Sequence, residues 1–104
     1  MAIANAIVET TPTTIYQSVG STAITFVSLC NYSVSTVYVD VYLVPNGSPV
    51  TNACLLAKEL ELVVADTYEL YHAAEKFILD NNDRLVMVSS EEDAVAVSVS
   101  YVGV

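Results

Sequence analysis

The sequence predicts an all-β domain, an antiparallel sandwich of jelly-roll-like form built from about seven to nine short strands. Three observations carry this. Val, Ile, Thr and Tyr, the residues that fit a pleated surface, make up 39 of the 104 residues. Apolar residues recur with a period of two, and long helical periodicity is missing. Clusters of turn-forming residues return every ~8–12 positions, the spacing of a sandwich or barrel.

The elements follow in order. Residues 1–12 read as an extended N-terminal arm, with Glu9 as their one charge and Thr10-Thr11-Pro12 at their end. Proline biases Thr11 towards extended backbone. Water gains nothing from Ile3, Ile7 and Val8, so the arm, with Pro12 at its base, is expected to dock on a neighbouring molecule. Residues 13–104 form the single sandwich domain. Its first strand runs from Thr13 to Val19, with Ile15, Gln17 and Val19 on one face, and Gly20-Ser21 turns the chain. Its second, Ala23 to Tyr32, alternates Ile24, Phe26, Ser28 and Cys30 against Thr25, Val27, Leu29 and Asn31.

The clearest alternation lies in Thr36 to Val44. Val37, Val39, Val41 and Leu43 form one face; Tyr38, Asp40 and Tyr42 form the other. Tyrosines on an outer face suit a contact surface, since they offer apolar area at low entropic cost. They serve equally as solvent-facing cross-strand pairs. Pro45-Asn46-Gly47-Ser48-Pro49 turns, and residues 50–57 carry no clear pattern.

Lys58 to Val64 resumes alternation, with Leu60, Leu62 and Val64 inward and Glu59 and Glu61 outward. Ala65-Asp66-Thr67 turns, Tyr68 to Tyr71 is a short strand, and Ala73 to Lys76 is at most one helical turn. Phe77 to Leu79 is apolar. Asp80-Asn81-Asn82-Asp83 is a tight turn, because Asn and Asp tolerate positive φ. Arg84 to Ser90 is so continuously apolar that both of its faces should be covered. Glu91-Glu92-Asp93 is an acidic turn, and Ala94 to Val102 places Val95, Val97, Val99 and Tyr101 on one face.

Composition narrows function mainly by exclusion. Hydrophobic residues make up 54% and charged residues 14%, too apolar for a disordered chain. Three Lys and Arg against twelve Asp and Glu give a formal charge of -9. Lys58, Lys76 and Arg84 are too few to neutralise a phosphate backbone, so no nucleic acid is expected. An anionic membrane repels such a chain, and no run of about 18 apolar residues spans one. The start has no basic region of a signal peptide. Without an export signal, Cys30 and Cys54 are expected to be reduced thiols, packed as small hydrophobes.

Catalytic patterns are thin. His72 is the single histidine and has no motif around it, and no serine sits in a nucleophile elbow. Three glycines do not make a phosphate cradle. Glu59 and Glu61 share a face as a glycosidase pair would, but exposed carboxylates on a strand more often block strand addition. The oxygens of Asp80, Asn81, Asn82 and Asp83 raise calcium, yet the EF-hand pattern is absent and the plain turn is the expectation. No enzyme, metal or cofactor is expected.

The runs Thr22-Ala23-Ile24-Thr25, Leu29-Cys30-Asn31, Val41-Tyr42-Leu43-Val44-Pro45-Asn46-Gly47, Ala65-Asp66-Thr67-Tyr68 and Glu75-Lys76-Phe77-Ile78-Leu79-Asp80-Asn81-Asn82-Asp83 together carry a resemblance. In order and spacing the chain resembles small virion structural proteins of tailed bacteriophages, in which an N-terminal arm precedes a compact sandwich. Asn82 departs from that pattern, which has Gly in the turn; Asn also adopts left-handed backbone. The resemblance implies a non-enzymatic, multi-copy component of the virion. A head decoration (cement) protein is expected, bridging shell subunits and bound to the major capsid protein or other virion proteins. It would act as a homo-oligomer, with a trimer favoured. The alternative is a tail, neck, baseplate or fibre module that binds a receptor or glycan through exposed tyrosines. The arm residues Ile3, Ile7, Val8 and Pro12, and the strand residues Tyr38, Asp40 and Tyr42, are the expected contacts.

Overall fold

The computed structural model describes residues 2–71 and 77–104, so His72 and the helical turn expected at 73–76 lie outside the described residues. Nine strands are present among them: β1 (Ala2–Val8), β2 (Thr13–Gln17), β3 (Thr22–Asn31), β4 (Val37–Val44), β5 (Leu55–Leu62), β6 (Thr67–Tyr71), β7 (Phe77–Leu79), β8 (Arg84–Ser89) and β9 (Val95–Gly103). One sheet has the order β1-β9-β3-β6, with β7 pairing β3 beyond the end of β6. The other has the order β2-β8-β4-β5.

Every pairing is antiparallel, and the pairs nest. Strand β4 pairs β5; outside that hairpin β3 pairs β6 and β7, then β2 pairs β8, then β1 pairs β9. A nested hairpin wound onto itself so that successive pairs fall in alternate sheets is a jelly roll, a double-sheet solution to exposed strand edges.

The two inner faces meet in one core. β9 supplies Val95, Val97 and Val99; β4 supplies Val37, Val39 and Val41; β8 supplies Leu85 and Met87. In β3 the inward positions are Ile24, Val27 and Leu29, with a step of three positions rather than two from the first to the second. A bulge between Ile24 and Phe26 explains the change of phase, because an extra residue flips every later side chain to the other face. Tyr16 and Tyr101 stack at one side, with ring centroids 4.3 Å apart.

A second apolar cluster lies outside this core. Tyr42, Val44 and Val86 point away from the sandwich interior and are covered by Val50, Cys54 and Leu55. The segment after Pro45, with a 3-10 turn at Asn52–Cys54, folds back over the sheet. Arg84 holds it there, Nη2 donating to the Ser48 carbonyl at 3.1 Å. The sequence expected both faces of the Arg84–Ser90 strand to be covered, and this loop is the cover for Val86.

Several expectations need correction. Residues 2–8 are not a detached arm: they hydrogen-bond along β9 in continuous register, from Ala2 opposite Tyr101 to Val8 opposite Val95. The reason is their own alternation, which turns Ala6 and Val8 onto the core. The boundary at residue 12 therefore does not separate an arm from the sandwich. Val19, placed on one face with Ile15, does not share that residue's burial: it is 86% exposed, because β2 ends at Gln17. Val64, expected inward, is exposed beyond the end of β5. The Asp80–Asp83 turn forms as expected, with Asn82 at φ +69.

Candidate interaction surfaces

Three places gather exposed or reactive groups, and each is set by the register of its strands. The first is the outer face of the β1-containing sheet. Strands β1, β9 and β3 contain no Asp, Glu, Lys, Arg or His over their whole length. The pairing lays their outward residues in rows: Ile3, Ser100 and Phe26; Asn5, Ser98 and Ser28; Ile7, Ala96 and Cys30. Ile3 is 69% and Ile7 50% exposed. On a chain of charge -9, this is an uncharged face of apolar, hydroxyl and amide groups. Its polar groups also bond within the face: Ser98 donates to Asn5 Oδ1 at 3.0 Å, and Thr25 Oγ1 donates to the Ser100 carbonyl at 3.1 Å.

The second is an open groove of about 440 Å³ on the outer face of the other sheet, lined by Tyr38, Asp40, Glu59, Val88, Ser89 and Ser90. The Asp40 carboxylate is already engaged. Lys58 Nζ lies 3.2 Å from Oδ2, and the Glu59 N–H donates to Oδ1 at 2.8 Å. That second bond holds β5 where its register breaks and Glu59 adopts φ +50, a conformation that a non-glycine residue takes only under constraint. The hydrogen bond from Lys58 to Asp40, followed by the attraction of that carboxylate, raises the ammonium pKa. Asp40 is thus a positioning group for the edge strand rather than a free carboxylate. Tyr38 remains exposed, its hydroxyl 3.4 Å from a Glu61 oxygen.

The third is the polar end around the Asp80–Asp83 turn. Asp83 accepts from the Asn46 N–H at 2.8 Å and the Asp80 N–H at 2.9 Å, and Asn81 Oδ1 accepts from the Gly20 N–H at 2.8 Å. These oxygens tie three turns together by accepting from backbone donors. Among the described residues, no three His, Cys, Asp or Glu side chains gather as a metal site.

The expected contact residues therefore separate. Ile3, Ile7, Pro12 and Tyr38 are exposed; Asp40 is part-buried in its ion pair. Val8 is wholly buried in the protein's own core, so it has no surface to offer a partner. Tyr42 is only 9% exposed, because the loop after Pro45 covers it. Periodicity correctly put Tyr42 on the outer face but carries no signal for a loop that closes over that face. The charge-free rows on β1, β9 and β3 were missed because their pairing joins opposite ends of the chain. The signal was present as three strand sequences without a charge.

One further group titrates abnormally. The Tyr32 hydroxyl donates to Asp93, and this bond, with some desolvation and the carboxylate's charge, raises the phenol pKa. A folded-state value above the unfolded one means the interaction is complete below about pH 10 and is lost as pH rises through the folded value. The phenolate absorbance lost in Tyr32→Phe is expected to titrate above that of an ordinary tyrosine and to return to the ordinary range in Asp93→Asn. An unchanged titration in Asp93→Asn contradicts the assignment.

Comparison of the chain with protein-family models, with curated proteins and with solved structures finds no match.

Proposed function

We propose that the protein is a non-enzymatic structural component of a tailed-bacteriophage virion, a head decoration protein that binds the major capsid protein and stabilises the shell. The observation that carries this reading is the charge-free outer face of β1, β9 and β3, with Ile3 and Ile7 standing exposed on it. An exposed apolar patch rimmed by polar surface marks a protein contact. The acidic remainder of the chain keeps a multi-copy protein soluble before assembly. The turn motifs that resemble small virion proteins supply the viral context; the fold alone does not, since jelly rolls serve capsid proteins, lectins and cupins alike.

A second reading, a tail or fibre module that binds a glycan, is favoured by the groove beside Tyr38, where an exposed ring meets Ser90 and Asp40. Cryo-electron microscopy of the intact virion separates the two. Density for this fold repeated over the icosahedral shell, seated through Ile3 and Ile7, is the expected result. Density confined to the tail overturns the head assignment. Absence from the virion overturns both readings.

A further inference from the structure

Strand β1 ends its sheet, so among the described residues alternate N–H and C=O groups along it have no partner strand. Proteins usually blunt such an edge, and the other sheet does so at both ends. β5 carries Lys58, Glu59 and Glu61, breaks register twice and takes a positive φ at Glu59. β2 is short, follows closely after Pro12 and has a register break of its own. β1 has none of these devices. It carries no charge and no proline, and its register with β9 is unbroken over seven residues.

Its sequence is also symmetric. Ile3-Ala4-Asn5-Ala6-Ile7 reads the same in both directions. If two copies pair antiparallel about Asn5, each Ile3 meets the partner's Ile7, each Ala4 meets Ala6, and the two Asn5 face each other on the two-fold axis. Like-sized side chains then oppose one another on both faces. The two amides at the centre fix the register, as a single buried Asn does in a coiled coil. Charge points to the same occupant. Two chains of -9 repel wherever their acidic surfaces meet, and β1 with its neighbours β9 and β3 presents no charge to a second copy.

We propose that the open edge of β1 is a self-complementary interface at which a second copy of this chain adds, antiparallel and centred on Asn5, to give a two-fold dimer with one sheet continuous across both molecules. Such an interface is isologous, the commonest closed arrangement of soluble oligomers. It puts the exposed isoleucines of both copies on one shared face, in place of the three-fold arrangement expected from the sequence. The proposal does not rest on the virion reading, because it concerns only the purified chain.

A contact of one strand pair is small, so the dimer is expected to be concentration-dependent. Sedimentation of the purified protein over a concentration series should reach the mass of two chains and stop there. Asn5→Lys places two ammonium groups together on the axis and should leave a monomer with an unchanged far-ultraviolet spectrum and, at concentrations where the wild type is itself monomeric, a nearly unchanged urea midpoint. The substitution also brings the net charge nearer to zero, so the loss of the dimer would be a local effect.

Register is read by cross-linking in a Cys30→Ser, Cys54→Ser background. Directly opposed residues of an antiparallel pair have Cα atoms about 4.5–5.5 Å apart, within disulfide reach. Asn5→Cys should therefore form a covalent dimer on mild oxidation. Ile3→Cys alone should not, because its twin lies four positions along, roughly 14 Å away at about 3.4 Å per residue. Mixing Ile3→Cys with Ile7→Cys should restore the cross-link. A wild-type chain that stays monomeric at its highest soluble concentration overturns the proposal. So does a trimer, a dimer that survives Asn5→Lys, or an Ile3→Cys cross-link as efficient as that of Asn5→Cys.

Discussion

Leu85→Ala is expected to remove about 2–5 kcal/mol of stability, a substantial share of the 5–15 kcal/mol typical of a domain. Leu85 lies on β8, between β2 and β4, and its side chain is completely buried among the inward residues of both sheets. The loss combines the transfer free energy of the missing carbons with the void they leave. Partners on strands held from both sides cannot collapse to fill it. Urea unfolding checks this. The midpoint should fall with the slope unchanged, because the same surface is exposed on unfolding. Val19→Ala removes an apolar side chain too, but one standing in solvent, and should shift stability by no more than about 0.5 kcal/mol. Equal shifts for the two variants would mean that the core is not organised around β8.

Asn31 should also be sensitive, for a different reason. Its side chain is fully buried at the end of β3 and makes four hydrogen bonds. Nδ2 donates to the carbonyls of Ser35 and Leu62, both at 2.8 Å. Oδ1 accepts from the Ser33 N–H at 2.9 Å and the Ser33 hydroxyl at 2.7 Å. One amide thus binds the last residue of β3, the loop after it and the last residue of β5, which belongs to the opposite sheet. Asn31→Ala removes this donor from the buried Leu62 carbonyl, whereas the part-buried Ser35 carbonyl still accepts from the Ser33 hydroxyl at 2.9 Å; a buried group that loses its partner costs about 1–3 kcal/mol. A loss of about 1–3 kcal/mol is expected from the same urea measurement.

Asn31→Asp adds a test by pH. A carboxylate offers only acceptors to two carbonyl oxygens, so its folded pKa rises above the unfolded value. The ionisation penalty is then absent in acid and grows as pH rises from the unfolded value to the folded one. The deficit of Asn31→Asp relative to wild type should therefore be smaller in acid than at neutral pH. An equal deficit at both would mean that the carboxyl is reached by water and that Asn31 is not the sealed junction described.

The strands that read clearly in the sequence are those whose partners need no irregularity. Val37, Val39 and Val41, like Val95, Val97 and Val99, point inward without interruption, and the alternation identifies them at once. β3 was legible as a strand but not in its phase, because the bulge after Ile24 shifts the inward set to Val27 and Leu29, and nothing in the alternation marks it. β1 was legible as an extended apolar segment but not as part of the sheet, since its partner β9 lies at the other end of the chain. Tyr42 failed for a similar reason. Its strand face was readable, whereas the return of Val50, Cys54 and Leu55 over it depends on a loop whose path is set by tertiary contacts such as that of Arg84 with Ser48. Among the contact residues, Tyr38 was legible as outward-facing because alternation alone decides it, whereas Ile3 and Ile7 were named with the buried Val8 only as apolar residues of an arm.

The place of β9 between β1 and β3 has a consequence for biosynthesis. The last strand of this domain to leave the ribosome is the one that joins its first and third strands, so the sheet that carries Ile3 and Ile7 has no centre until β9 has been made. Until then the nascent chain holds β1 without a partner and β3 paired on one side only, both uncharged, the kind of species that chaperones capture and that aggregates when synthesis outruns folding. A chain stopped before Val95 should accumulate as insoluble protein rather than as a smaller domain.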